Sequence, residues 1–405
     1  MYPDTTSEQR ITGRRRWYSP GVATSSGLIA VGSGPAGLSA AAAFRERHPH
    51  LRVQILTADP AMPYAKPPLS KDFLCGRDQH VDLHTPDWFD KRRLELIRGI
   101  TVDHIDLDAR EVITRGGRRY PYWSLVLAPG AAPVPLEVPG AANALQLRSL
   151  ADAVAVRMTA LQARTAVVIG GGLIGCEAAA CLAANGIATT MVAGEPVPLQ
   201  RRFGLDAGER IAKLLSDNGV RFTGPSRVVE VHEDGVLLDD GGALDGDLVV
   251  AATGVRPDAR LAEAAGIRTR DGRIVVNEHM HTSAPNVFAA GDVALAFNVT
   301  AGRPIPTEHW RDAADQGEIA GASAAGYPTD WAKVPGFHCA IGAARLKYRG
   351  WGVPYEHSRL VDHRDGFTVW YEAGGEVVGV LSLNADDDYR LAADLVGTHS
   401  PLQVR

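Results

Sequence analysis

Cysteine, long apolar segments and clusters of basic residues are all scarce in this 405-residue sequence. Its four cysteines make neither a disulfide framework nor a zinc framework, and their small number fits a reducing, cytoplasmic compartment. Arg14, Arg15 and Arg16 form a short basic run in a chain of net charge −5, so nucleic acid is not an expected partner. No segment is long and apolar enough to span a bilayer. The apolar region after these arginines contains a proline-bearing loop motif, which argues against an export signal.

Metal and dithiol chemistry are not expected either. Cys176 and Cys181 have the spacing of the redox disulfide in flavin disulfide reductases. Both fall on one predicted helix, however, where positions five apart point about 140° apart. We therefore expect packing cysteines and no dithiol relay. The histidines at positions 80, 84, 279 and 281 are typical of a loop and a strand end, so no metal site is predicted.

Two glycine-rich motifs are the most informative feature that the sequence does contain. They read G-S-G-P-A-G at residues 32–37 and G-G-G-L-I-G at residues 170–175, and each follows a short apolar run and opens an alanine-rich helix. Such glycines let backbone amides approach a pyrophosphate at the helix N-terminus. Two copies at domain spacing predict two bound nucleotides, most economically a flavin and a nicotinamide. The alternative is that one or both motifs are tight turns without a ligand.

The remaining pattern is typical of an α/β protein with two or three domains. Apolar runs predict strands at residues 28–31, 53–56, 124–127, 166–169, 248–251 and 274–276, and helices near residues 38–44 and 207–218. A run at 286–290 delivers Asp292 to the carboxyl end of a strand, where ligands bind in parallel sheets. Residues 63–71 are too rich in proline for regular structure. Alternating residues such as 367–371 predict a small antiparallel sheet near the C-terminus.

Four segments occur in the order of one known family. They are P-Y-A-K-P-P-L-S-K at residues 63–71, A-T-G-V-R-P at 252–257, A-A-G-D at 289–292, and E-H-W at 308–310 before Gln316 and Gly317. On these segments the sequence resembles the FAD-dependent NAD(P)H:ferredoxin reductases that serve cytochrome P450 and Rieske oxygenase systems. These putidaredoxin-reductase-like proteins belong to the pyridine nucleotide-disulfide oxidoreductases but lack the redox disulfide, and apoptosis-inducing factor is a more distant relative.

The resemblance implies a glutathione-reductase-type architecture, with two Rossmann-like nucleotide-binding domains and a small α+β C-terminal domain. It implies a flexible tail at residues 1–24, an FAD domain at 25–135 and 252–328, an NAD(P) domain at 136–251 and a flavin-capping domain at 329–405. The implied activity uses FAD to oxidise NAD(P)H and to reduce a [2Fe–2S] ferredoxin, in a monomer or a homodimer. Two alternatives stay open: a flavin oxidase or dehydrogenase that acts on a small molecule, and an NAD(P)H-binding redox sensor.

The resemblance also implies where the cofactors bind. Lys71 would lie beside the flavin ring and pair with Glu177, as the two catalytic residues; an ordinary interdomain ion pair is the alternative. Asp292 would bind the ribityl chain and Asp59 the adenosine ribose of FAD, while residues 308–310 would border the pyrimidine end of the ring. The residues predicted to bind the cofactors are Gly32, Gly34, Pro35, Ala36, Gly37, Asp59, Lys66, Pro67, Lys71, Gly130, Gly170, Gly172, Leu173, Ile174, Gly175, Glu195, Gly254, Gly291, Asp292, Glu308, His309 and Trp310.

The sequence departs from the family pattern in two places. Ala193 replaces the acid that normally binds the nicotinamide-side adenosine ribose, with Glu195 two residues later and Arg201 and Arg202 downstream. Loss of that acid removes repulsion of a 2′-phosphate, so NADPH stays open although NADH is favoured. The family's F-W-S-D-Q-Y stretch is replaced by F-H-C-A-I-G at residues 337–342, which leaves the electron acceptor open. Cys339 in this stretch is expected to pack in the interior rather than approach the flavin.

Overall fold

The computed structural model describes residues 27–352 and 354–402, and the predicted tail at residues 1–24 lies outside these ranges. No helix in the described ranges combines the length and the apolarity needed to cross a membrane. The helices are α1 (Pro35–Arg47), α2 (Pro86–Arg92), α3 (Leu150–Ala160), α4 (Leu173–Ala184), α5 (Gln200–Asp217), α6 (Arg260–Ala264), α7 (Trp310–Ala324) and α8 (Asp386–Gly397). Short 3-10 helices form at Pro67–Ser70 and Ala141–Asn143.

The strands are numbered in chain order. The first half of the chain contains β1 (Leu28–Val31), β2 (Val53–Leu56), β3 (Glu95–Ile97), β4 (Val102–Asp106), β5 (Glu111–Thr114), β6 (Arg119–Pro121), β7 (Ser124–Leu127), β8 (Ala131–Pro133), β9 (Leu145–Gln146), β10 (Thr165–Ile169) and β11 (Ala188–Val192). The second half contains β12 (Val220–Thr223), β13 (Val228–Val231), β14 (Gly235–Leu238), β15 (Ala243–Asp245), β16 (Leu248–Ala251), β17 (Val255–Pro257), β18 (Thr269–Arg270), β19 (Arg273–Val276), β20 (Val287–Ala289), β21 (Ala294–Asn298), β22 (Arg303–Pro306), β23 (Gly336–Ile341), β24 (Ala344–Gly350), β25 (His357–His363), β26 (Gly366–Ala373) and β27 (Glu376–Leu383).

The first parallel sheet has the strand order β20-β7-β1-β2-β3. Every residue of β1, β2 and β7 is buried, which is why these strands are almost entirely apolar, with Gln54 and Ser124 the two polar exceptions. Helices α1 and α7 pack so closely that Cβ atoms added at Gly317 and Gly321 would lie about 2 Å from the α1 backbone. Those two glycines therefore set the distance between the helices that cover one face of the sheet.

The second parallel sheet has the order β12-β11-β10-β16-β9 and carries α4 and α5. All its strands come from residues 145–251, whereas β20 of the first sheet follows them in the chain and pairs with β7. The chain thus forms four strands of the first sheet, then all strands of the second sheet, and then adds β20 to the first sheet. This discontinuity agrees with the predicted division into domains, whose boundaries stay a prediction.

The C-terminal part is an antiparallel sheet of order β23-β24-β27-β26-β25, against which α8 packs. Strand β26 contains the alternating segment from which a C-terminal sheet was predicted. The predicted fold class is confirmed by the two parallel sheets, the C-terminal sheet and the likeness to solved structures reported below. One apolar core joins the second parallel sheet, α4 and the inner face of the C-terminal sheet.

Three predictions about local structure are wrong. The proline-rich segment contains a 3-10 helix, because Pro67 and Pro68 occupy its first positions, where no backbone N–H is needed. Helix α5 begins at Gln200 rather than near residue 207, since a kink at Gly204, with φ 83°, interrupts its apolar periodicity. The cysteines do form a disulfide, between Cys75 and Cys181, whose Cα atoms lie 5.3 Å apart. These two cysteines are 106 residues apart, so only tertiary packing brings them together.

Candidate functional site

A cavity of about 1120 Å³ lies at the carboxyl ends of the first sheet. Its walls come from all three parts of the fold: the loop before α1, the start of α4 and strand β23. The predicted residues that line it are Gly32, Gly34, Pro35, Ala36, Asp59, Lys66, Pro67, Lys71, Gly130, Leu173, Ile174, Glu177, Gly291, Asp292, Glu308, His309 and Trp310. Those that do not line it are Gly37, Gly170, Gly172, Gly175, Glu195 and Gly254.

The three glycines of the first motif have three different surroundings. Gly32 has a φ of +108°, and an added Cβ would lie 2.1 Å from the Ala128 carbonyl oxygen. A Cβ at Gly37 would lie 2.0 Å from the Gly32 carbonyl oxygen, so this position needs glycine for packing. At Gly34, by contrast, a Cβ would meet no atom within 4 Å, and this residue is the N-cap of α1. The open space at a helix N-terminus fits a pyrophosphate that approaches the backbone.

The second motif repeats this arrangement. Cβ atoms at Gly170 and Gly175 would lie 2.3 Å and 2.1 Å from backbone carbonyl oxygens, whereas Gly172, the N-cap of α4, has open space. Leu173 and Ile174 follow it and line the large cavity. The second nucleotide would therefore bind at α4 and reach the same cavity from the other side.

Lys71 and Glu177 form an ion pair at this junction, with 2.8 Å between Nζ and Oε2. The carboxylate is 5% exposed and the ammonium side chain 17% exposed, so solvent screens the pair only weakly. Glu177 also accepts a hydrogen bond of 2.6 Å from the Ser70 hydroxyl and one of 3.1 Å from the Ala340 backbone N–H. The sequence prediction that these two residues lie together agrees with this geometry, and their catalytic role stays a prediction.

A cluster of charges surrounds Asp292 on the cavity wall. Its carboxylate pairs with Arg148 at 3.0 Å, and the Lys66 ammonium forms no ion pair or hydrogen bond with any described residue. Burial, and then the nearby Arg148, lower the pKa of Lys66 to about 8. Sequence reasoning missed Arg148, because it lies in no recognisable motif and reaches the site only through the tertiary fold. An unpartnered cation in a cavity fits an anionic ligand.

Asp59 lies on the cavity wall beyond the end of β2. Its carboxylate accepts hydrogen bonds from the Tyr64 hydroxyl at 2.8 Å and from the Ala61 backbone N–H at 2.9 Å. These bonds fix the orientation of the carboxylate where the first sheet ends. The position fits the predicted contact with a ribose, which remains a prediction.

The Glu308-His309-Trp310 segment also lines the cavity and leads into α7, which begins at Trp310. Glu308 pairs with Arg273, and the His309 ring stacks on Phe337 with centroids 4.1 Å apart. The Arg202 guanidinium donates to His309 Nε2 at 2.9 Å. Burial, and then this guanidinium, lower the pKa of His309 to about 3, so its ring is neutral near pH 7.

Near the second glycine motif, where the sequence departs from the family pattern, the structure places Arg201 beside Glu195 and directs Arg202 elsewhere. Glu195 accepts from the Arg201 backbone N–H and pairs with its guanidinium at 3.2 Å. Arg202 points away from these residues and lies over the Phe337 ring at 4.6 Å. Of the two arginines that the sequence offered for a 2′-phosphate, only the exposed Arg201 is near Glu195.

The divergent stretch at residues 337–342 supplies two cavity residues, Phe337 and His338. Cys339 is buried, does not line the cavity, and has its thiol pKa raised by burial. It packs in the interior as expected. Sequence reasoning missed Arg345, Lys347 and Tyr389, which line the cavity from the C-terminal part and carry no motif.

A profile of the pyridine nucleotide-disulphide oxidoreductases matches residues 27–322. This chain belongs to that family. Membership confirms the predicted class, an oxidoreductase that uses FAD and a nicotinamide nucleotide, and the predicted resemblance.

Relatives within the family cover most of the chain. Putidaredoxin reductase CamA of Pseudomonas putida is 30% identical over 93% of either chain. The ferredoxin–NAD(+) reductase component of the anthranilate 1,2-dioxygenase system of Burkholderia cepacia is 33% identical over 76% of this chain and 78% of the relative. Human apoptosis-inducing factor 3 is 29% identical over 96% of this chain, which spans only 66% of that protein's length. The covalent putidaredoxin reductase–putidaredoxin complex superposes with a TM-score of 0.89, at 29% identity, over 93% of this chain and 94% of the solved one.

Proposed function

We propose that this protein oxidises NADH with bound FAD and passes single electrons to a [2Fe–2S] ferredoxin that serves a cytochrome P450 or Rieske oxygenase. One observation carries the proposal: α4, which follows the second glycine motif, and the loop of the first motif open onto one cavity, joined by the Lys71–Glu177 pair. A nicotinamide bound at α4 would therefore reach a flavin bound at α1. The similarity to two reductases named for their ferredoxin-dependent systems supports the identity of the acceptor.

The residues of the cavity fit FAD along its whole length. The N-terminus of α1 and the open space at Gly34 would hold the pyrophosphate, and Asp59 the adenosine ribose. Asp292, oriented by Arg148, would accept a hydrogen bond from the ribityl chain. Bound FAD supplies the chemistry of accepting a hydride and releasing electrons one at a time.

Lys71 and Glu177 would place a fixed positive charge beside the bound flavin. Glu177 holds the Lys71 ammonium at the cavity wall, where a positive charge stabilises the negative charge of a reduced flavin. The hydroxyl of Ser70 and the backbone N–H of Ala340 fix the carboxylate from two further directions. These contacts fix the position of the pair at the cavity wall.

We also propose that NADH is preferred over NADPH and that the protein acts in the cytoplasm. Glu195 lies near the end of β11, and its carboxylate would repel a 2′-phosphate even though Ala193 occupies the usual acidic position. Arg201 is already paired with this carboxylate. A cytoplasmic location follows from the coenzyme, which is held inside the cell.

An anaerobic titration tests the proposal. NADH, and in a parallel sample NADPH, is added to the flavin-loaded protein while the flavin absorbance is followed; a [2Fe–2S] ferredoxin with cytochrome c as the final acceptor is then added. We expect prompt bleaching by NADH and cytochrome reduction only when ferredoxin is present. Bleaching without ferredoxin-dependent reduction would favour an enzyme that acts on a small molecule. No bleaching by either coenzyme would overturn the proposal.

A further inference from the structure

Two contacts link helix α4 to the segment that follows the first 3-10 helix. They lie one helical turn apart on α4. Lys71 pairs with Glu177, and Cys75 is bonded to Cys181, so each connection is shifted by four residues in both chain segments. The Cys75 backbone N–H donates to the Lys71 carbonyl oxygen at 2.8 Å, and Cys181 Sγ lies 3.5 Å from the same oxygen. The disulfide and the ion pair therefore belong to one rigid unit that links the first nucleotide-binding region to the second.

The disulfide lines a second cavity, of about 280 Å³, which shares Lys71, Glu177 and His338 with the large one. Cys75 is half-buried, whereas Cys181 is only 4% exposed. Cys75 is thus the more exposed of the two cysteines, and a small molecule in this cavity would lie against it. Thiol–disulfide exchange needs such access, because the attacking thiolate must approach one sulfur in line with the S–S bond.

Arg77 lies against the half-buried sulfur of Cys75 and is itself paired with Asp72, with 3.4 Å between Nη1 and Oδ1. The Arg77 guanidinium donates to Cys75 Sγ at 3.3 Å, and the cavity lining contains the cations Lys71, Arg77 and Arg345 against the carboxylates Asp72 and Glu177. Arg345 forms no ion pair with any described residue. A guanidinium beside a sulfur attracts an incoming thiolate and stabilises the negative charge that the sulfurs share during exchange.

We propose that the Cys75–Cys181 disulfide is a thiol-exchange site for low-molecular-weight thiols, which attack Cys75, and that its opening loosens the Lys71–Glu177 pair. The site would make hydride transfer to the flavin respond to the thiol state of the cell, and this second part rests on the proposed function. Neither cysteine is part of the glycine motifs that bind the nucleotides. The other two cysteines, Cys176 and Cys339, are fully buried free thiols and cannot take the same role.

The exchange balances with a dithiol as the reductant. Its first thiolate attacks Cys75 Sγ, the Cys75–Cys181 bond breaks, and Cys181 leaves as a thiolate that takes a proton. The second thiolate of the reductant then attacks its own sulfur in the mixed disulfide and releases Cys75. Two electrons and two protons pass from the dithiol to the two cysteines, and a low-molecular-weight disulfide closes the bond again by the reverse steps.

The test uses the flavin-loaded protein with and without dithiothreitol, followed by removal of the reagent. Thiols are counted by alkylation and intact mass after denaturation, and flavin reduction by NADH is followed by anaerobic stopped flow. We expect two alkylated cysteines before treatment and four after it, without any need for denaturant during reduction. Flavin reduction should become about three- to tenfold slower after treatment and recover on reoxidation, because a less firmly held pair positions its charges less well.

Three variants make the test specific. Cys75→Ser should show the slower rate with or without dithiothreitol, and Cys176→Ala, on the same helix but outside the disulfide, should keep the response. Arg77→Gln should slow the opening of the disulfide by about tenfold, whereas Arg270→Gln, an exposed arginine elsewhere, should not.

Each contrary result has a distinct meaning. Four alkylated cysteines in the untreated protein would overturn the exchange site. Equal rates of flavin reduction in the oxidised and reduced protein, or loss of the response in Cys176→Ala, would overturn the coupling to Lys71 and Glu177. Failure of NADH to bleach the flavin in every sample would instead refute the proposed function, while the thiol count would still decide whether the disulfide opens.

Discussion

At the scale of single residues, some glycines of the two motifs leave open space in front of a helix, whereas others are needed for the packing of the backbone. A methyl group at Gly34 would meet no atom within 4 Å, whereas one at Gly37 would lie 2.0 Å from a backbone oxygen. Gly34 and Gly172 also have ordinary extended backbone angles, with φ of −73° and −82°. A side chain at either position is therefore tolerated by the protein and excluded only by the ligand.

The first prediction concerns these two open glycines. Gly34→Val should give a folded protein that has lost at least about nine-tenths of its flavin, because the side chain fills the space for the pyrophosphate. Gly172→Val should keep its flavin but need roughly tenfold more NADH for bleaching. The ratio of flavin to protein absorbance, circular dichroism and an NADH titration measure these effects. Full flavin in folded Gly34→Val would show that this loop does not hold FAD.

The second prediction concerns the buried ion pair. Lys71→Met should lower the free energy of unfolding by about 3 kcal/mol, because it leaves the Glu177 carboxylate buried without a cation. The double variant Lys71→Met/Glu177→Gln should be less destabilised, since the amide can still accept from Ser70. Denaturant unfolding of the two variants and of the unchanged protein gives the comparison. If the double variant is no more stable than Lys71→Met, the unpaired Glu177 carboxylate is not the main cause of the destabilisation.

At the scale of elements, α7 joins the first sheet to the C-terminal sheet and has a buried acid in its first turn. Asp312 is 4% exposed, and its Oδ2 has no hydrogen-bond partner among the described residues. Burial, and then the nearby Asp315, raise the pKa of Asp312 from 3.8 to about 7, against a smaller opposing effect of the Gly336 backbone N–H. The folded protein therefore holds a proton that the unfolded chain releases.

The third prediction is the pH dependence that follows. Between about pH 4 and pH 7 the folded state binds the extra proton, so the contribution of Asp312 to stability is greatest below pH 4 and is lost as the pH rises to about 7. Asp312→Asn removes this loss and should stabilise the protein by about 4 kcal/mol at pH 8, with a gain that shrinks towards pH 4. Thermal unfolding of both proteins across this range measures the gain. A gain that does not change with pH would contradict the prediction.

At the scale of the whole molecule, an acidic chain presents a locally basic wall beside the large cavity. The net charge is −5, yet Arg345 and Lys347 lie together on β24 at the cavity. Lys347 is paired with Asp386, whereas Arg345 has no carboxylate partner among the described residues. A negatively charged electron acceptor would be attracted to this wall and repelled by much of the remaining surface.

The fourth prediction separates docking from hydride transfer. Arg345→Gln should weaken ferredoxin-dependent cytochrome reduction roughly tenfold at low salt and make it less sensitive to salt, because it removes a cation at the cavity wall. Bleaching of the flavin by NADH should change little. Lys91→Gln, an exposed lysine on α2, is the matched control and should affect neither rate. An equal loss in both variants would place the docking surface elsewhere.

Burial explains which elements could be predicted from the sequence. Strands β1, β2 and β7 were predicted to the residue, because a strand buried on both faces reads as a continuous apolar run. The start of α5 was missed, since Leu199, with φ 58°, and the kink at Gly204 break the local pattern that a sequence can show.

Local motifs explain what could be predicted of the site. Each glycine motif, and the segment that ends at Lys71, is an unbroken stretch that can be recognised in the sequence. The fold brings residues of all three stretches to one cavity. Arg148 and the partner of Cys181 could not be predicted, because their roles depend on segments far away in the chain. Arg148 meets Asp292, 144 residues away, and Cys75 meets Cys181 across 106 residues.

The return of the chain to its first sheet has a consequence for synthesis on the ribosome. Every strand of the second sheet emerges before β20, so the second sheet can form while the first sheet still ends at β7. During that interval the nascent chain exposes the unpaired edge of β7, whose Leu125–Leu127 portion is apolar, and such an edge is a template for pairing with other chains. Helix α7, whose Ala324 carbonyl oxygen accepts from the Ser124 hydroxyl of β7, follows β20 in the chain and packs on the completed sheet. The first sheet, although four of its five strands come early in the sequence, is thus completed only after the second sheet has been synthesised.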